Sequence, residues 1–399
     1  MLMASCRALI ALLACLGVAP VAAQPGVPCA APGDGVDSLT AQAEQLAGAG
    51  RRVAALLLLQ RRVAEAPRDC HARTAMLGLL AALEAPAAAY ELPANARLGG
   101  RPWLTRALSG VQPAAWLALE AGHDSNLNSA NSASSIDLPL LNYRSLALNP
   151  VLVRRASGFA GIDGGAVVSR PLAAGMSVSA TVQAAARYNA NEATYLPHGY
   201  FGALAADKRW GDWRLEAEIV YLQRRLGRFR VIDRWQPGAT WVMQPAPGLR
   251  VAVWLFAASN RYPLFNAVET REQGGGLRLA HDGSGLALGF SGGRERSTGP
   301  LKDLDRDQAR ITLDWSHPLG NGDTLVARLG ESRSHYIEPS PLFLAQREDR
   351  FRELSLAYRR RIGADWSLTP RLLFEENLST IPVVAFRRRQ ALVELRREW

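Results

Sequence analysis

Hydrophobic residues recur along this chain with two different periods. From about residue 113 onward the period is two. WRLEAEIVY puts Trp213, Leu215, Ala217, Ile219 and Tyr221 on one face and Arg214, Glu216 and Glu218 on the other. ARITLDW sets Ala309, Ile311, Leu313 and Trp315 against Arg310, Thr312 and Asp314. ELSLAYR sets Leu354, Leu356 and Tyr358 against Glu353, Ser355 and Arg359, and in WSLTPRLLF the residues Trp366, Leu368, Leu372 and Phe374 share a side. The last nine residues, ALVELRREW, place Ala391, Val393, Leu395, Arg397 and Trp399 opposite Leu392, Glu394, Arg396 and Glu398. Successive strand side chains point to opposite faces, so this pattern predicts strands. Charges recur opposite a face that is almost wholly apolar, and aromatics fall at strand ends. That arrangement suits lipid outside, a polar lumen inside and aromatic girdles at the two interfaces.

Tight turns punctuate the strands at intervals of about 35 to 43 residues: RPLAAGM (170–176), WGDW (210–213), PAPG (245–248), DGSG (282–285), PLGNGD (318–323) and IGAD (362–365). Between them lie two strand lengths and a longer polar connection, such as NANEATYLP, NRYPLFNAVE, STGPLKDLD or SHYIEPSPLFLAQRE. Short turns on one side and longer loops on the other are the asymmetry of an outer-membrane barrel. Six turns join twelve strands; one strand at about 114–122 and the final strand bring the expected total to fourteen. An antiparallel sheet in lipid must close, because an open edge would leave backbone groups unsatisfied. Val393, Leu395 and Trp399 are the expected members of the closing strand, with Trp399 at the interface.

Ahead of the strands the period is helical. SLTAQAEQLAGAG, RRVAALLLLQRRVAEAP and DCHARTAMLGLLAALEAP each read as a helix, the third opened by Asp69 as an N-cap, and AAAYEL is a brief fourth. Small residues and a closing Pro67 are similar to a tetratricopeptide repeat. A small helical bundle is an equal alternative, since such repeats need several copies to stand alone. The expected organisation is a signal peptide at 1–23, a flexible lead-in at 24–36, a helical region at 37–92, a linker at 93–112 and a barrel at 113–399.

The leader reading rests on Arg7, the apolar run ALIALLACLGVA and the small residues Val21, Ala22 and Ala23. Cleavage at Cys15 with lipidation is the rival. The longest later apolar run, VAALLLL (53–59), is far short of the roughly 20 residues a spanning helix needs. Cys29 and Cys70 remain after the leader; they are expected to form a disulfide, with two free buried thiols as the alternative. The net charge is +10 and almost wholly arginine, the lysines being Lys208 and Lys302 alone. The arginines alternate with aliphatics or sit beside turns. They therefore suit lumenal ion pairs and rims near lipid phosphates better than nucleic acid.

Candidate chemistry is sparse. Asp124, Asn126 and Asn128 open like a calcium loop, but Ser129 and Ser135 stand where its glycine and glutamate are needed. Asp303, Asp305 and Asp307 form no better site. The histidines at 71, 123, 198, 281, 317 and 335 lack ligand spacing, and HDGSG (281–285) fits a turn better than a nucleophile elbow. No enzyme activity, metal or cofactor is expected.

The helical region, Trp103 in RPWLTRAL, the run HDSNLN (123–128) and a fourteen-strand barrel ending in an aromatic resemble the surface lipoprotein assembly modifier (Slam) family. The resemblance implies an outer-membrane protein with a periplasmic N-terminal region that helps a client lipoprotein or secreted protein across the membrane. It also implies Asp124, Asn126 and Asn128 as a loop motif. The departures are a shorter helical region and Arg397 where an aromatic is common. The remaining expected partners are the barrel assembly machinery and outer-membrane lipid, with the chain a monomer. A porin-like channel for small solutes is the alternative function.

Overall fold

The computed structural model describes residues 38–48, 55, 58–59 and 112–399, apart from short loop stretches at 133–134, 139–143, 148–152, 173–174, 192–195, 264–267 and 341–342 and positions 228, 300, 301, 303 and 321. The expected leader, Cys15, Cys29, Cys70, Trp103 and most of the helical region lie outside the described residues. Helix α1 (Ser38–Gly48) occupies the first expected helix; its Thr40 and Ala43 are buried, as are Ala55 and Leu59.

Sixteen strands follow. They are β1 (Gln112–Asp124), β2 (Ser135–Leu138), β3 (Arg144–Ala147), β4 (Ser157–Pro171), β5 (Met176–Asn189), β6 (Pro197–Trp210), β7 (Trp213–Leu226) and β8 (Phe229–Ala246). Then come β9 (Leu249–Tyr262), β10 (Val268–His281), β11 (Leu286–Ser297), β12 (Arg306–Pro318), β13 (Thr324–Ser340), β14 (Ala345–Ile362), β15 (Trp366–Ser379) and β16 (Phe386–Glu398). Strands β1 and β4–β16 form one closed antiparallel barrel of fourteen strands, in which β1 pairs with both β4 and β16. The remaining pair, β2–β3, is a hairpin carried in the first loop.

The strand count, and with it the six short turns, is as expected. Each of those turns contains a glycine at positive φ: Gly175, Gly211, Gly248, Gly285, Gly322 and Gly363. A seventh, Gly227, reveals a departure from the expected asymmetry. It joins β7 to β8 between Leu226 and Phe229, so this connection on the loop side is tight rather than long. Because the strand number is even, the start of β1 and the end of β16 lie on the side of the six short turns.

The outward faces are apolar. Val182, Leu204, Leu255, Leu329, Leu356, Leu372 and Val393 are all exposed, Leu255 to 68%. Leaving such residues in water would cost each much of its transfer free energy, roughly 1.5–3 kcal/mol. A bilayer removes that cost, and closure removes the unpaired edge, so this barrel spans a membrane with its strands. Trp210, Trp213, Trp241, Trp366 and Trp399 stand exposed at the turn side, and Trp213 stacks on Trp241 at 4.7 Å between ring centroids.

Candidate functional site

The inward faces carry the charges that the alternation assigned there. Over β8–β14 the loop-side half of the wall is an interlocked polar layer. Arg234 donates to Glu272 at 2.5 Å, to Asn260 at 3.1 Å and to Gln236 at 2.7 Å. Glu295 accepts from Thr270 at 2.5 Å and from Asn260, Tyr262 and Arg306 at 3.1 Å each. Arg306 also donates to the Tyr336 hydroxyl at 3.2 Å, and Arg347 lies 4.4 Å over the Tyr336 ring. The charged pairs here are almost dry: the side chains of Arg234 and Glu272 are 3% and 4% exposed. A buried charge is tolerable only when paired and hydrogen-bonded, and each member of this layer is.

Nearer the turns the lumen is wetter. Asp314 bridges Arg278 at 2.7 Å and Arg328 at 2.6 Å, with side chains about a fifth exposed. Asp163 accepts from the Trp116 indole at 2.8 Å and from Gln183 at 2.6 Å. The inner wall is thus a ladder of both signs, packed at the loop side and more exposed at the turn side.

The run HDSNLN sits where β1 ends against β16. Asp124 is fully buried and accepts from Arg187 at 2.8 Å, Arg388 at 2.6 Å and Gln390 at 2.7 Å. Its other oxygen accepts from the Asn126 backbone N–H at 2.9 Å, an Asx turn that folds the chain back. Asn126 donates to the carbonyls of Ala130 at 2.9 Å and Arg387 at 3.0 Å, and Ala130 N–H returns a bond of 3.0 Å to its amide oxygen. Asn128 donates to Val153 O at 3.0 Å and accepts from Arg155 N–H at 3.2 Å. These residue types are needed because each asparagine must donate and accept within one loop. The run stitches the β1–β16 seam and ties the first loop to it. Asp124, engaged by two guanidiniums, is committed to that seam rather than to a cation.

The other expected residues are equally placed. Val393 pairs with Ala121 and Leu395 with Leu119, while Trp399 exchanges two backbone hydrogen bonds with Ala115, at 2.9 and 3.3 Å. Arg397, at the position where an aromatic is common, lies over Trp366 at 5.5 Å and Trp399 at 4.9 Å. Asp305 accepts from Ser297 N–H at 2.5 Å and Asp307 from Arg296 at 2.6 Å, so both serve loop and rim contacts. Sequence reading missed the Glu295 layer. Its members were recognisable one at a time as inward charges, but their convergence from four strands is not a sequence signal.

No family model matches the chain, and no curated protein matches it. Several solved structures are similar in part. The outer membrane protein opdK from Pseudomonas aeruginosa aligns with 10% identity over 72% of this chain and 99% of its own, at a TM-score of 0.40. OccAB3 from Acinetobacter baumannii aligns with 9% identity over 72% and 99%, at 0.41. OccK5 (OpdH) from Pseudomonas aeruginosa aligns with 10% identity over 72% and 98%, at 0.39.

Proposed function

We propose that this protein is an outer-membrane channel for small polar solutes. The observation that carries the reading is the inner wall, a ladder of paired arginines and carboxylates that is buried at the loop side and partly exposed at the turn side. Such a wall offers donors and acceptors to a small polar molecule, and its packed loop-side half leaves less room for a folded client. This reverses the order of the two expectations drawn from the sequence. The barrel closes within one chain, which supports a monomer inserted by the barrel assembly machinery and surrounded by outer-membrane lipid.

Translocation of a lipoprotein or secreted protein is the second reading. It is favoured by one feature: the chain ahead of β1 enters at the short-turn side, where a helical region would meet a client before crossing. Two measurements separate the readings. Purified protein in a planar bilayer should give discrete conductance steps. Surface proteolysis of candidate clients should be unchanged when the gene is deleted. A silent barrel together with a client trapped in the periplasm would replace the channel with the translocator.

A further inference from the structure

The wall between β9 and β12 carries a shallow, open hollow of about 620 Å³. Outward-facing Leu255, Gln273, Arg294, Arg296 and Asp307 line it, and Phe256, Gly274 and Gly293 form its floor. Cross-strand register explains its place. Leu277, Phe290 and Ile311 form one outward row on β10–β12, apolar throughout. Gln273, Arg294 and Asp307 form the row four positions nearer the loops, polar throughout. Between these rows the outward residues are Gly275, Gly292 and Ala309. The hollow therefore lies where the apolar belt gives way to charge, at the depth of a lipid headgroup.

Its cations are not equivalent. Arg296 is held by Asp307 at 2.6 Å and by the carbonyls of Glu295 and Arg306 at 2.8 and 2.7 Å. Arg294 lies cross-strand from the same Asp307 and has no carboxylate of its own within ion-pair distance among the described residues. The positive surplus continues along the same wall. Glu331 is shared by Arg333, Arg350 and Arg352, and Glu376 by Arg352 and Arg387. Guanidinium groups exceed carboxylates at each of these points. A guanidinium beside an apolar wall matches phosphate in geometry and charge.

We propose that this hollow holds the phosphate-bearing headgroup of a lipid in the loop-side leaflet, with Arg294 as its anion contact and the row Leu277, Phe290 and Ile311 against its acyl chain. The proposal rests on the barrel spanning a bilayer and is independent of what passes through the lumen. Arg296, fixed by Asp307 and two carbonyls, sets the depth of the site, and Gln273 adds a neutral donor.

The test is native mass spectrometry of the full chain in detergent, titrated separately with phosphatidic acid, phosphatidylcholine and inorganic phosphate. One phosphatidic acid should bind with about tenfold preference over phosphatidylcholine, a difference readily resolved in such titrations. Inorganic phosphate should not displace it. Arg294→Gln should abolish the preference and Arg294→Lys should keep part of it. Gln273→Trp, which fills the hollow from an outward position, should abolish it independently, and Arg170→Gln on β4 should leave it intact. Equal retention of the two lipids would overturn the site, as would an unchanged preference in both Arg294→Gln and Gln273→Trp. Displacement by inorganic phosphate would mean a free-anion site, and an equal loss in Arg170→Gln would mean general charge attraction; either result also overturns it.

Discussion

The outer surface of this barrel has two unlike walls. On β4–β8 the outward residues toward the loops include small and aromatic side chains, among them Ala160, Tyr188, Tyr200 and Trp235, beside the polar pair Gln223 and Asp233. On β10–β16 the corresponding positions carry arginines, among them Arg294, Arg333, Arg350 and Arg387. The apolar belts beneath are alike, so the difference lies only at the loop-side interface. Tyrosine and tryptophan satisfy an interface through an amphipathic ring, whereas arginine does so through charge and a long stem. The first kind of wall is indifferent to headgroup charge and the second is not. The inner surface divides along a similar line, because the packed layer around Glu295 lines β9–β13, behind the arginine wall.

The two walls meet at the β1–β16 seam, and the largest effect is expected there. Asp124→Ala removes the buried acceptor shared by Arg187 and Arg388, leaving them Asn189 and Glu375, and removes the Asx turn of the first loop. Removing one partner from a buried pair costs about 3–5 kcal/mol. Denaturant unfolding in micelles should show that loss, and the heat-modifiable folded band should shrink; a midpoint like that of the parent would show that the seam does not depend on the carboxylate.

A matched pair of substitutions then separates belt from rim. Leu204 on β6 is 61% exposed and faces the belt. Leu204→Arg should destabilise the barrel by roughly 2–4 kcal/mol, and Ala309→Arg, beside the charged row of β12, by about 0–1 kcal/mol. Equal losses measured by refolding into vesicles would place Ala309 at the same depth as Leu204 and erase the contrast.

Removing Trp399 deletes both backbone bonds to Ala115, each worth about 1 kcal/mol net. Less folded barrel should accumulate in the outer membrane, as read by unheated gel mobility. Normal accumulation would show that the seam closes without its last residue.

A small effect is also expected at Gly227. Its φ of +55° puts it in the left-handed region, where a residue with a Cβ is strained by roughly 1–2 kcal/mol. Gly227→Val should lower the unfolding midpoint slightly and leave the lipid preference of the arginine wall unchanged, since the turn joins β7 to β8 on the other one.

Period-two alternation by itself determined which residues face lipid and which face the lumen. Trp213, Leu215 and Ile219 point outward and Glu216 inward because a strand allows nothing else. Turn glycines fixed six of the reversals, and the strand count followed from them. Gly227 was missed because arginines flank it and a two-residue reversal leaves no polar run to notice. The HDSNLN run was legible as a motif but not as a stitch. Asp124 and Arg388 are 264 residues apart, and only closure of the sheet brings them to 2.6 Å. The same holds for Glu295, whose partners come from β9, β10 and β12, and for the hollow beside Arg294, whose lining is drawn from β9, β10, β11 and β12. Facing is a local property of the backbone and can be read along the chain. Register and closure are set by pairing between distant segments, so the tertiary structure alone decided which inward charges would meet and which outward arginine has, among the described residues, no carboxylate within ion-pair distance.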